Sequence, residues 1–159
     1  GTSICQGLDL YHDAEEPTLH WAQTSSARDV WRFSLTSYGF EGSFCSLACA
    51  VAADQAHMLR TSDILRLTLI AESSRPVALH ARLNIAEESD KETLHAHRVL
   101  DHGRHDIRFP LEATQLDFDA GADIWIDLIL ARPRMLELHL SAVRLDLAAS
   151  EADGEAGGE

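Results

Sequence analysis

The sequence predicts an all-β fold, a two-sheet antiparallel sandwich of jelly-roll type with one short helix. Apolar and polar residues alternate with a period of two along most of the chain, a pattern typical of half-buried strands. About ten such segments follow one another at short spacing, as in sandwiches and barrels. Because each strand has one apolar face, two sheets have to pack together to bury these faces. A closed barrel is the alternative, and the strand pattern does not separate the two folds.

The first third of the chain contains four predicted strands and the single predicted helix. The strands are Leu8–His12, Leu19–Gln23, Val30–Ser37 and Ser43–Val51. The segment Ala52–Arg60 consists largely of Ala, Gln, Met and Leu and lacks β-branched residues. It therefore predicts a short helix that crosses from one sheet to the other.

The clearest alternation lies in the middle of the chain. Asp63–Ser73 and Val77–Ile85 each place apolar residues at every second position. Between them Ser73–Pro76 predicts a turn, because proline has no amide hydrogen to donate to a ladder. The two strands therefore predict an antiparallel hairpin.

Four further strands are predicted in the second half: Thr93–Leu100, His105–Pro110, Asp123–Ala131 and Leu136–Leu147. The first two flank a predicted turn at Asp101–Gly103, where glycine allows a positive φ. The last two flank a predicted turn at Arg132–Arg134. Within the final strand the apolar phase slips by one residue after Leu140, which predicts a β-bulge.

Length and charge indicate the domain organisation and the class of partner. The chain has 159 residues, 45% of them hydrophobic, which predicts a single β-sandwich domain over residues 1–147. Residues 148–159 contain four carboxylates and no basic or large apolar residue, and they predict an acidic disordered tail. The formal net charge of −13 argues against nucleic acid and anionic membranes as partners. No apolar run is long enough for insertion into a membrane.

Cys45 and Cys49 lie in one predicted strand, about 13 Å apart by strand rise, which is too far for a disulfide between them. Reduced, buried thiols are the simplest interpretation, and they indicate a cytoplasmic location. Cys5 remains able to pair with either of the two.

Nine histidines raise the question of a metal site. His95 and His97 lie on one face of a predicted strand, and His102 and His105 lie at and just beyond the adjoining turn. Metal affinity needs three or four converging ligands, and no carboxylate or cysteine stands at a supporting short spacing. We therefore expect solvated or edge-strand histidines, with no metal and no other cofactor.

A polar face carries the strongest candidate site. His80, Arg82 and Asn84 alternate with inward-facing residues, and Trp125 and Asp127 do so in a later strand. An exposed Trp can stack on the apolar C–H faces of a sugar while the polar groups bind its hydroxyls. The alternative is a solvated outer face with an Arg82–Asp127 ion pair and with Trp125 packed under a loop.

No catalytic motif is present, since the sequence lacks a nucleophile elbow, a phosphate-binding loop, a zinc-protease motif and a dinucleotide fingerprint. Carboxylates are numerous, but no spacing selects a pair for glycoside hydrolysis. We therefore expect a protein that is not an enzyme.

Three segments resemble an uncharacterised bacterial family of domains of unknown function: Phe40–Leu47 (FEGSFCSL), Ser74–Ile85 (SRPVALHARLNI) and Ile126–Met135 (IDLILARPRM). This resemblance covers the chain from about Leu8 to Leu147 and implies no catalytic residue. The order of strands in the second half is also similar to carbohydrate-binding modules and other galactose-binding-like jelly rolls. Those modules often hold calcium through an acid in the last strand, where this chain has His139–Val143 (HLSAV).

Two functions follow as hypotheses. The first is a non-catalytic binding module for a glycan or another polar polymer, with Trp125 stacking and His80, Arg82, Asn84 and Asp127 as polar contacts. The second is a structural or assembly domain that binds a protein partner or a second copy of itself. The oligomeric state is left open by the sequence.

Overall fold

A computed structural model describes residues 5–12, 19–25, 31–37, 42–51, 64–87, 90–111 and 123–148. These residues form eight strands: Cys5–His12 (β1), Leu19–Ser25 (β2), Trp31–Ser37 (β3), Phe44–Val51 (β4), Ile64–Ala86 (β5), Lys91–Pro110 (β6), Asp123–Ala131 (β7) and Leu136–Ala148 (β8). All the strand pairs are antiparallel, which confirms the predicted all-β fold. The predicted helix at Ala52–Arg60 lies outside the described residues, and so does the predicted tail over residues 148–159 apart from Ala148, which ends β8.

The strands form one curled sheet in the order β1-β4-β7-β5-β8-β3-β2, with β6 paired to β5. Ile64–Ser73 of β5 pairs with β8, whereas Leu79–Ala86 pairs with β7. β6 accompanies β5 through both of these segments. The β5–β6 hairpin therefore belongs to both halves of the sandwich, which we call the β7 half and the β8 half after the strand that pairs with β5 in each.

The core lies between the two halves. Odd-numbered residues of β5 are buried from Leu65 to Ser73 and again from Val77 to Ile85, so the same side of the strand faces the core on both sides of the irregular segment around Arg75. One cluster of buried apolar side chains includes Leu35 of the β8 half and Leu47 of the β7 half. Full burial of a Leu or Ile side chain contributes about 1.5–3 kcal/mol. This shared core holds the two halves together.

Two predicted turns are wrong, because the strands continue through them. Ser73–Pro76 lies within β5, where the register to β6 shifts between Glu72 and Val77. Proline, which has no amide hydrogen, falls inside this interruption of the ladder. Asp101–Gly103 likewise lies within β6, and Gly103 has the predicted positive φ, at 104°. In the structure, Pro76 and Gly103 lie at irregular positions within one long hairpin, whereas the sequence predicts two pairs of shorter strands.

The β-bulge and the last turn are confirmed. In β8, Ala142 pairs with Ile70 but Leu140 pairs with Ala71, so one extra residue stands where the apolar phase slips. Arg132 of the turn between β7 and β8 has a φ of 45°. The Arg75 guanidinium donates hydrogen bonds to the carbonyl oxygens of Arg132 and Arg134, the shortest being 2.6 Å to Arg134. This arginine fixes the turn to the middle of β5.

The cysteines only partly follow the prediction. Cys45 is free and buried, and burial raises the pKa of its thiol to about 12. Cys49 is disulfide-bonded, so the expectation of reduced thiols is wrong for this residue. The distance that follows from the rise per residue of a strand excludes a disulfide between Cys45 and Cys49, but it does not exclude a disulfide between Cys49 and a cysteine of another strand. The cytoplasmic location stays a prediction.

No helix within the described part of the chain is long and apolar enough to cross a membrane.

Candidate ligand-binding face

The five residues selected from the sequence lie on the side of the β7 half that faces away from the core: His80, Arg82 and Asn84 on β5, and Trp125 and Asp127 on β7. We call this surface the binding face. Arg82 lies directly opposite Asp127, and Asn84 lies opposite Trp125. Because every second residue of a strand points to the same side, the alternation that buries the core also collects these side chains.

Arg82, Asp127 and Asn84 form a hydrogen-bonded unit. The Asp127 Oδ2 atom accepts hydrogen bonds from Arg82 Nη2 at 2.9 Å and from Asn84 Nδ2 at 2.9 Å. Asn84 is fully buried, at 0% exposure, whereas the Arg82 side chain is 38% exposed and that of Asp127 is 13% exposed. The ion pair of the alternative interpretation is therefore present. Asn84 cannot contact a ligand directly in this arrangement, and its role is to hold the Asp127 carboxylate.

Trp125 is half-buried, in contrast to the exposed ring that the sequence predicts. The Lys91 ammonium lies 5.3 Å from the centroid of its ring, within the range of a cation–π contact. The ring thus lies beside the Arg82–Asp127 pair with a lysine above it. A ligand that stacks on this ring has to displace the lysine or share the ring with it.

Two depressions adjoin on the binding face. The tyrosine depression has a volume of about 420 Å³ and is lined by Tyr11, Phe44, Ser46, Arg82, Asp127 and Ile129. The histidine depression has a volume of about 670 Å³ and is lined by Ala78, Leu79, His80, His97, Arg98, Val99, Ile129 and Ala131. Ile129 lines both, so the two depressions are neighbours, and we call the pair of them the trough. Trp125 and Asn84 line neither depression.

Sequence reasoning missed several residues of this trough. Tyr11, at 57% exposure, comes from β1 and is paired in register with Ser46. Phe44 is half-buried and lines the tyrosine depression, although its sequence context suggests a core residue. Ile129 is odd-numbered like Trp125 and Asp127, so it points to the same side of β7. This alternation would have allowed Ile129 to be predicted from the sequence. Tyr11 offered no such signal, because the pairing of β1 with β4 is not visible in the sequence.

His80, His95 and His97 form a compact cluster at one end of the trough. His80 Nε2 is hydrogen-bonded to His95 Nδ1 at 2.8 Å, and His95 Nε2 lies 3.2 Å from Thr93 Oγ1. The His80 ring stacks on that of His97 with the centroids 4.4 Å apart and an interplanar angle of 18°. Within the described ranges, no group of three His, Cys, Asp or Glu side chains is arranged to hold a metal ion. The ring nitrogens of His80 and His95 bind each other.

The pKa of His80 is lowered from its ordinary value of 6.5. The largest cause is burial, and charge on His97, His95 and Arg82 adds to it. Both effects disfavour the imidazolium, the first because it loses water and the second because like charges repel. The His80 ring therefore stays neutral to a lower pH than an ordinary histidine.

Several solved structures are similar to this chain at low sequence identity. The enzymatically active domain of tailspike protein 4 from bacteriophage CBA120 has a TM-score of 0.60 at 6% identity, over 90% of this chain and 20% of that one. A carbohydrate-binding module of the β-sandwich superfamily has a TM-score of 0.57 at 8% identity, over 88% of this chain and 57% of that one. The chain thus spans about a fifth of the tailspike structure and little more than half of the second.

A third similar structure matches along nearly its whole length. It is the family 11 carbohydrate-binding module from Clostridium thermocellum in complex with a β-1,3-1,4-mixed-linked tetrasaccharide. The TM-score is 0.51 at 10% identity, over 91% of each chain. At such identities these likenesses show the fold, and they confirm that the jelly roll of carbohydrate-binding modules is the architecture of this chain.

No curated protein matches the sequence. The sequence resemblance to an uncharacterised family is confirmed over nearly the whole chain: a family of unknown function, DUF6478, matches residues 1–149, and the protein belongs to it.

Proposed function

We propose that this domain binds a glycan without catalysis, through the trough on the binding face. The observation that carries the proposal is the composition of that trough. Tyr11 and Phe44 offer aromatic surface, and the Arg82–Asp127 pair offers fixed donors and acceptors beside them. Sugars present apolar C–H faces and equatorial hydroxyls, and a mostly apolar groove with a few fixed polar groups matches both.

The Arg82–Asp127–Asn84 unit supplies orientation. Asn84 and Arg82 occupy Asp127 Oδ2, which fixes the carboxylate and leaves Oδ1 for a hydroxyl donor. The Arg82 side chain is 38% exposed and retains guanidinium N–H groups for a hydroxyl acceptor. A pair held in place before the ligand arrives loses little conformational entropy on binding.

The fold supports this proposal. The family 11 module of similar fold was solved with a mixed-linked tetrasaccharide, and that sugar is the first probe for this domain. Trp125, beside the trough, is assigned a stacking contact at its border, and His80 is assigned a polar contact in the histidine depression.

A glycan array that includes the β-1,3-1,4-mixed-linked tetrasaccharide tests the proposal. The wild-type domain is compared with Tyr11→Ala and Trp125→Ala, and with Met135→Ala as the control. Met135 is 71% exposed and lines neither depression, so its loss should change nothing. We expect wild type and Met135→Ala to bind the same sugars, while Tyr11→Ala loses about tenfold or more in affinity, as expected when a stacking ring is removed.

Circular dichroism and urea unfolding of each variant show whether the fold is retained. Absence of binding by the folded wild-type protein to every glycan would contradict the proposal. Retention of full affinity by Tyr11→Ala would place the ligand elsewhere. If Trp125→Ala unfolds the domain, the ring belongs to the structure and has no assigned role in binding.

Assembly is the second candidate function, and one observation favours it. Tyr11 and Val99 are 57% and 62% exposed on the same face, and exposed apolar side chains of this kind also occur at protein interfaces. Sedimentation equilibrium of the purified domain distinguishes the two. A dimer that the Val99→Glu substitution dissociates would favour assembly, and a monomer would favour the glycan.

A further inference from the structure

The contact between His80 and His95 limits the number of protons that the histidine cluster can bind without rearranging. The 2.8 Å contact between His80 Nε2 and His95 Nδ1 needs one nitrogen to donate and the other to accept. Two neutral rings satisfy this condition, and so does one imidazolium bound to one neutral ring. Two imidazolium rings do not, because both nitrogens would then carry a hydrogen and point it at the other ring.

Among the residues that the structure describes, no carboxylate is paired with a ring of the cluster to compensate additional positive charge. On β5, Arg82 is adjacent to the cluster and is itself paired with Asp127 of β7. On β6, the Arg98 guanidinium donates a hydrogen bond to the backbone oxygen of His97. On β7, the residue opposite His80 is the apolar Ile129. Within the described residues, none of the three rings has a carboxylate partner.

His139 is in a different situation. His139 Nε2 lies 3.0 Å from a carboxylate oxygen of Glu137, on the outer surface of the β8 half. A proton on that ring is balanced by the neighbouring carboxylate. His139 is therefore a matched control for the cluster.

We infer that the histidine cluster is a proton-controlled part of the glycan site: neutral rings form the wall of the histidine depression, and their protonation opens that wall and weakens binding. The inference rests on the proposed function. His80 and His97 both line the depression, and their rings stack on each other. Protonation of both members of the His80–His95 contact repels the rings, and it also puts charge where an apolar sugar face would remove water. The lowered pKa of His80 agrees with this direction.

The first experiment measures the cluster without any sugar. The imidazole resonances of the full chain are followed by NMR between about pH 8 and about pH 4.5, in wild type and in His95→Gln. In wild type we expect the His80 resonances to titrate below the ordinary pKa of a histidine. In His95→Gln the glutamine amide still hydrogen-bonds to His80, but one titrating ring is gone, and the pKa of His80 should rise. Titration of His80 at the same pH in both proteins would overturn the inference.

The second experiment measures affinity. Binding of the β-1,3-1,4-mixed-linked tetrasaccharide, or of the tightest glycan from the array, is measured by calorimetry at about pH 7.5 and about pH 5. We expect wild type and His139→Gln to lose about tenfold in affinity at the lower pH, the effect of one pKa unit of coupling. In His95→Gln, whose substituted residue lines neither depression, the loss should shrink to about twofold or less.

The outcomes separate the two proposals. Equal affinity of the wild-type protein at both pH values would overturn the inference and leave glycan binding standing. The same loss in wild type and in His95→Gln would also overturn it, because the acid effect would then lie outside the cluster. Failure of the wild-type protein to bind any glycan at either pH would overturn the proposed function and this inference with it.

Discussion

Arg82 and Asp127 face each other across β5 and β7, with Nη2 and Oδ2 2.9 Å apart, and the buried Asn84 amide donates to the same oxygen at 2.9 Å. One carboxylate oxygen therefore joins a solvent-accessible cation to a residue that solvent does not reach. This contact links the outer surface of the β7 half to the interior of the sheet, and substitutions here should affect both stability and binding.

The Asp127→Ala substitution should lower the free energy of unfolding by about 2 kcal/mol, because the buried Asn84 amide would lose its best acceptor. Asp127→Asn, which keeps an acceptor oxygen, should cost about half as much. Urea unfolding followed by tryptophan fluorescence measures both. Asp101→Ala is the control, since the Asp101 side chain is 53% exposed and contacts only the exposed His102 at 3.6 Å, so its loss should cost no more than about 0.5 kcal/mol. Equal costs at positions 101 and 127 would contradict the stabilising role of the Asn84 contact.

Truncation of the core should be severe at Leu83, which is fully buried in the segment of β5 that pairs with both β6 and β7. Leu83→Ala should lower the free energy of unfolding by about 3 kcal/mol, through lost apolar burial and the cavity that remains. Ile70→Ala on the same strand removes a side chain that is 42% exposed, and it should cost less than about 1 kcal/mol. Thermal unfolding of the two variants gives the comparison, and similar melting temperatures would be inconsistent with the assigned inner and outer sides of β5.

The Cys45 thiol should resist modification in the folded protein. Burial raises its pKa to about 12, so the thiolate, which is the reactive form, is scarce at neutral pH. Mass spectrometry after iodoacetamide treatment at about pH 8 should find Cys45 unmodified in the native state and alkylated in urea. Rapid alkylation without denaturant would show that β4 opens readily.

Stability should decrease in acid in a way that depends on His80. The folded-state pKa of His80 lies below its ordinary value of 6.5, so the unfolded chain binds the proton more tightly. The stabilisation from the neutral ring is therefore complete above pH 6.5 and is lost as the pH falls through that value toward the folded-state pKa.

Urea unfolding of wild type and His80→Gln across this pH range measures the effect. The slope of stability against pH should be smaller in the variant. His139→Gln serves as the comparison because His139 lies beside Glu137. A wild-type slope that persists in His80→Gln would assign the acid sensitivity to other groups.

Much of the fold was predictable because a strand has a period of two. The alternation around Leu83 and Leu128 assigned the inner sides of β5 and β7, and the same parity placed Arg82 and Asp127 together on the outer surface. The bulge of β8 was visible as a slip in the apolar phase. These features are local, and they need no knowledge of which strands are neighbours.

Features that depend on neighbouring strands were not predictable. Pro76 and Gly103 are residues that usually end strands, and only the partner strand decides that both lie within one long hairpin, where Pro76 falls in the interruption of the ladder and Gly103 pairs with Ala71. Asn84 was expected at the surface with His80 and Arg82, but contacts across the sheet bury it. Tyr11 joins the site through the pairing of β1 with β4, which brings together residues that are far apart in the sequence.

The long β5–β6 hairpin determines how the protein unfolds. β5 is hydrogen-bonded on both edges along Ile64–Glu72 and again along Leu79–Ala86. Neither half of the sandwich can separate from the other without breaking a ladder inside a strand that both share. Melting should therefore be all-or-none, and the amide hydrogens of β5 should be the last to exchange with deuterated solvent.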